Sequence, residues 1–442
     1  MYRLSVKIIL TLILLQVQIA LAQKRPEVGG QITTGPSIQL LSIGIDNFRL
    51  PAGFITMNDS LMASDMKKIL KDDLAFSLYF NVVEIDTAFL NQFAKGTMSL
   101  DDWIYLGAQM LVSGRIDRES QGIIFTVDVT DAQRNKNVYS RDFVGDPAEY
   151  RYLVHRVAAD LLFNLTGEQG VYQSKIIYSS DASGNSNIYI CDFDGYASKA
   201  LTNDKAMDVI PTWSADNQRI YYTGYKRGNP DLYAYNISDG KTVPISTRTG
   251  LNMGAAASPD SKYIAATLSL SGNSDIYLLD ASGRIVRQLT FSKMIDTSPT
   301  WAPSSREIAF TSDKTGLPQI YITDTEGLNM RRLTYYGDYN DEASWSPRGD
   351  LIAYTSRTSD GFQIFTIDIA GLSPQRLTDV GYNETPTWSP DGLHLTYSSN
   401  VTGTYQLWQM DYNGMNKRQL LLPGNCMTPD WSKNQKSIGE SH

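Results

Sequence analysis

Five acids, Asp208, Asp296, Asp341, Glu342 and Glu384, stand at matching places a few residues ahead of recurring steps such as Trp345-Ser346 and Trp388-Ser389. Carboxylates gathered by a repeat would line one end of a channel, where they suit a basic partner segment or a hard cation such as calcium. No stretch has the spacing of a calcium-binding loop, so neither a metal nor a cofactor is assigned. Hydrolysis fits poorly. A propeller-bearing peptidase needs a nucleophile, a base and an orienting acid, usually with the serine on a G-x-S-x-G elbow, and no such elbow occurs. Of the 3 His, His155 lies beside the apolar stripe of a helical segment and reads as a packed or capping group. His394 falls in a repeat strand and His442 at the terminus. Such scattered histidines make neither a zinc site nor the several-His metal site of a channel lyase. The expectation is a protein without enzymatic activity, with a peptidase, a lyase or a saccharide-binding protein as alternatives.

The acids are positioned by a repeat. WSADNQ, ASPDSK, WAPSSR, WSPRGD, WSPDGL and WSKNQK begin at 213, 257, 301, 345, 388 and 431, so successive starts fall 44, 44, 44, 43 and 43 residues apart. A fixed period of this size marks a propeller or a solenoid. Each start is followed by an alternating apolar strand, such as IYYTG at 220 or IAYTS at 352, and then by a second, such as DLYAYN at 231 or QIFTID at 363. A third short strand carries Leu-Thr, as in Leu201-Thr202, Leu289-Thr290, Leu333-Thr334 and Leu377-Thr378. With the strand ending in Trp-Ser this makes four per repeat, and radial repetition of four short strands fits a β-propeller. Six second strands predict six blades.

Trp213, Trp301, Trp345, Trp388 and Trp431 are large enough to wedge between neighbouring blades. Pro390 and Gly392 suit positions i+1 and i+3 of a type I turn. The first repeat starts at IIYSS without a Trp-Ser strand before it, while Pro429-Asp430-Trp431-Ser432 has no repeat after it. That orphan is expected to complete the first blade and close the ring.

Residues 1–22 have another character. Arg3 and Lys7 precede an apolar run from Ile8 to Ile19 closed by Ala20-Leu21-Ala22, the pattern of a secretory signal cleaved after Ala22. The expected mature chain starts at Gln23 and is periplasmic, without membrane insertion. No Cys follows Ala22, which excludes lipid attachment there. Loss of Arg3 and Lys7 takes the net charge from −8 to −8 − 2 = −10, a poor balance for binding nucleic acid or anionic membranes. Cys191 and Cys426 are expected to stay unpaired, held apart by an intervening strand. Residues 23–37, QKRPEVGGQITTGPS, read as a flexible segment, and 436–442 as a tail.

Residues 38–167 lack the repeat and mix periods. SIQLLSIGI at 37 and FNVVEI at 80 read as strands, and Leu61, Met62, Met66, Ile69 and Leu70 give helical spacing over 60–76. Ser99 and the acid of Ser-Leu-Asp-Asp predict a capped helix through Trp103 and Leu106. MLVSGRIDRE, IIFTVDVTDA and NVYSRDFV follow as strands. A last helix is expected from Asp146, with Pro147 in its first turn, Glu149 completing a capping box and Gly167 ending it. Its stripe of Leu153, Val157 and Leu161 must cover a sheet. The fold class is therefore an α/β N-terminal domain at 38–167 followed by an all-β six-bladed β-propeller at 174–435.

This organisation resembles the TolB family, periplasmic propeller proteins of the Tol-Pal system. The resemblance rests on YFNVVEID at 79–86, LGAQMLVSGRI at 106–116, Lys175 to Ser180 after the Leu165-Thr166-Gly167 helix end, and repeats such as FTSDKTGLPQIYITD at 310–324. It implies a non-enzymatic adaptor, a monomer within a larger complex, that binds the lipoprotein Pal at the propeller mouth and TolA through its N-terminal region. It implies roles in outer-membrane integrity and in envelope constriction at cell division. In the family the Pal face involves the loops running into each Trp-Ser strand. Those segments carry Asp208, Asn252 to Gly254, Asp296 to Ser298, Asn340 to Glu342, Asn383 to Thr385 and Cys426 to Thr428. The resemblance places Asn252, Gly254, Thr297 and Ser298 where relatives contact Pal, and adds Asp208, Asp296, Asp341, Glu342, Asn383, Glu384 and Thr385 as partner-binding residues. Ala257 and Ser261 replace the Trp and Gly of the repeat start, and Ser298 stands where relatives can have an acid.

Overall fold

The structure, a computed structural model, describes residues 40–51, 56–85, 98–119, 122–291 and 293–434. The expected export signal, the segment 23–37 and the tail 436–442 lie outside the described residues. Among those residues no helix is long and apolar enough to cross a membrane.

The N-terminal part is one sheet in the order β2-β1-β3-β4-β5, made of β1 (Leu41–Ile45), β2 (Phe80–Val82), β3 (Met110–Glu119), β4 (Gly122–Asp131) and β5 (Lys136–Gly145). β1 runs parallel to both β2 and β3, and the remaining pairs are antiparallel. Helix α1 (Met57–Phe76) starts earlier than its apolar spacing suggests. Thr56 accepts from the Asp59 N–H while the Asp59 carboxylate accepts from the Thr56 N–H, a reciprocal cap. Its buried stripe is Ala63, Met66, Ile69, Leu70 and Leu74, whereas Leu61 is exposed. Helix α2 (Leu100–Tyr105) carries the expected Ser99–Asp102 box.

The last helix departs from expectation at its start. Asp146 caps a short 3₁₀ turn over Pro147–Glu149 through the Ala148 N–H at 2.8 Å, and α3 proper is Tyr150–Thr166. The tighter turn brings a closer N–H to the cap, so the Glu149 side chain completes no box. Gly167, at φ 80°, ends α3 with its N–H on the Phe163 carbonyl.

The rest is a ring of six four-stranded antiparallel sheets. The strands nearest the central channel are Asp208–Trp213, Asn252–Ala257, Asp296–Trp301, Asn340–Trp345 and Asn383–Trp388 in the second to sixth blades, and Cys426–Trp431 in the first. Each lies beside the channel strands of both flanking blades, so the ring is continuous. The C-terminal strand pairs with Lys175–Ser180 in the register Trp431↔Ile176 and Cys426↔Ser180, which closes the first blade. Cys191 and Cys426 are both free and buried, with Lys175–Ser180 between their strands.

The tryptophans sit between blades. Trp213 packs with Ile177, Ile188 and Ile190 of the first blade and Ile220 of its own. Trp388 packs against Ala353 and Ile364 of the fifth blade, and its Nε1–H donates to the Ser344 carbonyl at 3.0 Å. Trp301 makes the matching bond to the Ala256 carbonyl at 2.9 Å. One sequence reading needs correction. The Leu-Thr pairs follow the outer strands instead of forming them: Thr202, Thr290, Thr334 and Thr378 turn inward, and each Oγ1 accepts from a backbone N–H of its blade's third strand, that of Ile188, Ile276, Ile320 or Ile364, at 2.8 to 3.0 Å. These hydroxyls end the outer strand by satisfying a buried amide.

Asp430 has a special place in the closure. Its carboxylate accepts from Thr212 Oγ1 at 3.0 Å and the Trp213 N–H at 2.8 Å on one side, and from Thr387 Oγ1 at 3.2 Å on the other. It thereby links the second and sixth blades to the closing strand. Burial in the channel wall raises its pKa from 3.8 to about 6. The folded protein holds this proton more tightly than the unfolded chain does. The resulting stability is complete below the ordinary carboxyl pKa and is lost as pH rises through about 6. Asp430→Asn keeps two acceptor bonds and offers Thr387 a donor without charge. We expect its unfolding free energy from urea titration to exceed that of the wild type near pH 7.5, by about 2 kcal/mol after discounting for channel solvent, and the difference to vanish near pH 4. An offset that does not change with pH would assign the raised pKa to another group.

Candidate functional site: the channel mouth

Every channel strand repeats one pattern of exposure, with its first, fourth and sixth residues packed and its second and third turned to the channel. The sixth residue of Asn252–Ala257 is the exception: Ala257 replaces tryptophan there and is half-buried. Two consecutive residues face one way because the ladder slips between them and the next strand in all six blades. The third residue is left-handed each time: Ile210, Gly254, Ser298, Glu342, Thr385 and Thr428 have φ between 50° and 59°. Gly254 adopts this freely, whereas β-branched Ile210, Thr385 and Thr428 do so at a cost in backbone strain. A bulge repeated at such a cost sets the side chains that reach the mouth.

The segments anticipated as loops are therefore the first three residues of strands, and the acids separate. Asp208 and Asp296 occupy the first position and are 0% and 2% exposed, like Asn252, Asn340 and Asn383. They are packed in the blades and turned away from the channel. Asn340 and Asn383 donate to Gln319 Oε1 and Gln363 Oε1, each at 2.9 Å, while Asn252 donates to the Arg248 and Gly250 carbonyls. Asp208 stands where those amides donate, and neither of its carboxyl oxygens has a hydrogen-bond partner among the described residues. Burial pushes its pKa up to about 7. A protonated carboxyl would supply the donor that its counterparts use.

Asp341, Glu342 and Glu384 do reach the mouth and form one cluster on the fifth and sixth blades. Asp341 accepts from Thr311 Oγ1 at 2.6 Å and the Tyr339 hydroxyl at 3.1 Å. Glu342 accepts from Thr355 Oγ1 at 2.8 Å and the Thr385 N–H at 2.9 Å, and Glu384 from the Tyr405 hydroxyl at 2.5 Å. Burial first, and then the neighbouring Asp341 charge, push the Glu342 pKa up to about 7. No ion pair neutralises any of the three among the described residues. The equivalent second positions on the first, second and third blades are Met427, Val209 and Met253, with Thr297 between the two sectors. Ser298 and Thr385 flank the acids, and Gly254 leaves a gap. The mouth is thus acidic over the fifth and sixth blades and apolar over the second and third opposite them, with Met427 of the first blade beside the acids.

Sequence reasoning missed the tyrosines and an aromatic row above the acids. In five blades the second hairpin has glycine at the same place, Gly184, Gly228, Gly272, Gly316 and Gly403. The fifth blade has Asp360 there, with Gly361 one residue later. That shift lets the ladder continue to Thr358↔Gly361 and carries Phe362 up beside Tyr339 and Tyr382, at ring distances of 5.7 and 6.2 Å. The displaced glycine was the signal available for this feature. Among the described residues no group of His, Cys, Asp and Glu has the arrangement of a metal site.

Comparison with known proteins accords with this architecture. The TolB beta propeller domain matches residues 163–435 and the TolB amino-terminal domain residues 32–138. The chain is 33% identical over 190 residues to the Tol-Pal system protein TolB of Desulfosudis oleivorans, covering 42% of this chain and 43% of that one. It is 33% identical over 181 residues to that of Geobacter sulfurreducens, covering 41% of each. These alignments span less than half the length of the relatives. The crystal structure of TolB from Acinetobacter baumannii superposes with a TM-score of 0.77 at 25% identity, covering 89% of this chain and 97% of that one. A propeller matched over more than half of the chain, preceded by the amino-terminal domain of the same family, makes this chain a member of the TolB family of Tol-Pal system proteins.

Proposed function

We propose that this protein is a periplasmic, non-enzymatic adaptor that receives Pal at the channel mouth and TolA through residues 23–37, supporting outer-membrane integrity and constriction at division. The observation that carries this reading is the two-sided mouth. Asp341, Glu342 and Glu384, without ion pairs among the described residues, face Val209 and Met253 across an opening with Met427 at its side, which suits a protein segment with a basic and an apolar side. Kinship with Tol-Pal system proteins supports the choice of partner. The test is calorimetric titration of residues 23–442 with the soluble domain of Pal from the same organism. Asp341→Ala and Glu384→Ala should each weaken binding about tenfold or more. Absence of binding at high micromolar Pal would remove the reading.

A saccharide reading is favoured by one feature, the row Tyr339–Phe362–Tyr382 beside hydrogen-bonded carboxylates, since aromatic faces and carboxylates together suit sugar rings. Titration with peptidoglycan fragments decides it: Phe362→Ala should abolish binding of the glycan while leaving Pal binding intact.

A further inference from the structure

Away from the mouth, α1 and α3 meet the outer strand of the sixth blade and the turn after Asn187–Asp192 of the first around a cavity of about 590 Å³. Its walls combine Ile69 of α1, Phe193 and Leu420 with Arg151 of α3 and Arg418 of the edge strand Arg418–Gln419. A volume of this size suits a small organic molecule or a short stretch of peptide.

The donors around it are incompletely used. Arg418 lies over the Phe76 ring, 4.0 Å from its centroid, and gives its Nε–H to Gln409 Oε1 at 2.9 Å. Its buried Nη2 has no hydrogen-bond partner among the described residues, and neither has the Nε of Arg151. Among the described residues no carboxylate comes within ion-pair distance of Arg418. Asp194, Asp73, Asp72 and Asp411 act on it only at longer range. Two of the cavity's acids are engaged elsewhere, Asp194 by Arg151 and Asp73 by His155 Nδ1 at 2.7 Å. Burial disfavours the imidazolium, but Asp73 and Asp194 outweigh it and raise the His155 pKa. His155 is thus the packed group its sequence setting implies.

A guanidinium that lines an open cavity without an ion pair among the described residues is a recognition element for a carboxylate. The apolar walls add a place for a hydrocarbon body. Asp65 and Asp72, exposed at the entrance, outnumber the exposed Lys68 beside them and so favour a ligand with a single negative charge over a polyanion. We propose that this cavity binds a small monocarboxylate with an apolar body, its carboxylate on Arg418 and its body against Ile69, Phe193 and Leu420. Such a group is offered by a free acyl-amino acid or by the C-terminus of a short peptide.

The test uses the mature chain with methyl-labelled isoleucine and leucine, titrated with N-acetyl-leucine, with the tripeptide Gly-Gly-Leu, and with the amide of each. Binding of the acids at millimolar concentration or below, with displacement of the Ile69 and Leu420 methyl signals and at least about tenfold weaker binding of the amides, supports the site. The tighter acid then identifies the source as a free small acid or a peptide terminus. Arg418→Gln should remove the preference for acid over amide. Arg418→Lys, which keeps the charge, should retain part of it. Equal binding of acids and amides, unmoved Ile69 and Leu420 signals, or an acid preference that survives in a folded Arg418→Gln protein would each overturn the proposal. If Arg418→Gln does not fold, the acid–amide comparison on the wild type decides alone.

Discussion

A chain ending before Cys426 should lose cooperative folding in all six blades, not only in the first. Cys426–Trp431 is the channel strand of the first blade, so its removal exposes the whole edge of Lys175–Ser180. It also takes away the Asp430 bonds to Thr212, Trp213 and Thr387 that tie the neighbouring blades together. Trp431, 6% exposed, goes with it, and so does its bond from Nε1 to Thr396 Oγ1 at 2.6 Å. In an open solenoid the loss of a terminal strand costs one interface, but in a ring it opens the structure at both of its neighbours. The loss should remove most of the roughly 5–15 kcal/mol that holds a domain folded. Near-ultraviolet circular dichroism and thermal melting would report it. A truncated chain that melts at the wild-type temperature would show that the ring does not need its closing strand.

Trp388→Ala should lower stability by about 3–5 kcal/mol, the range for removing a buried large aromatic from a packed site. Trp388 is 5% exposed and touches side chains of two blades. Its removal leaves a cavity between them and an unpaired Ser344 carbonyl that its Nε1–H had satisfied. The third repeat bears on the size of this effect: Ala257 stands at the tryptophan position and packs, half-buried, against a cluster that includes Ala234, Ile245 and Leu279. A site that evolved around alanine is packed by others, whereas an engineered one is not. The measurement is the urea midpoint at fixed pH, and a shift worth less than about 1 kcal/mol would place the tryptophans outside the packing between blades.

Much of the fold was legible because its signals are local or periodic. The spacing of Trp-Ser steps reflects a unit that buries its faces only against copies of itself, so it counts the blades. The unpartnered step at Trp431 told where the ring closes. The cap at Ser99 was readable because both of its members lie within three residues. The start of α1 went unseen because Thr56 precedes any apolar spacing, and Leu61 joined the stripe only by residue type.

The site was less legible, and the reason is geometric. Asp208 and Asp341 are both acids just ahead of a blade's tryptophan, yet one is sealed in a blade and the other faces the mouth. The bulge turns the second and third residues of each strand to the channel and hides the first, and Asp208 is a first residue while Asp341 is a second. Residue type carries no record of that phase. The cavity is still more remote from sequence, since Ile69, Arg151, Phe193 and Arg418 come from four distant segments. By itself the sequence determined the kind of domain, the number of blades, their four strands and the closure, because repetition and alternation are written along the chain. The tertiary structure alone decided which carboxylates share the mouth and which guanidinium lines the cavity, because burial and charge depend on neighbours that the chain brings together only by folding.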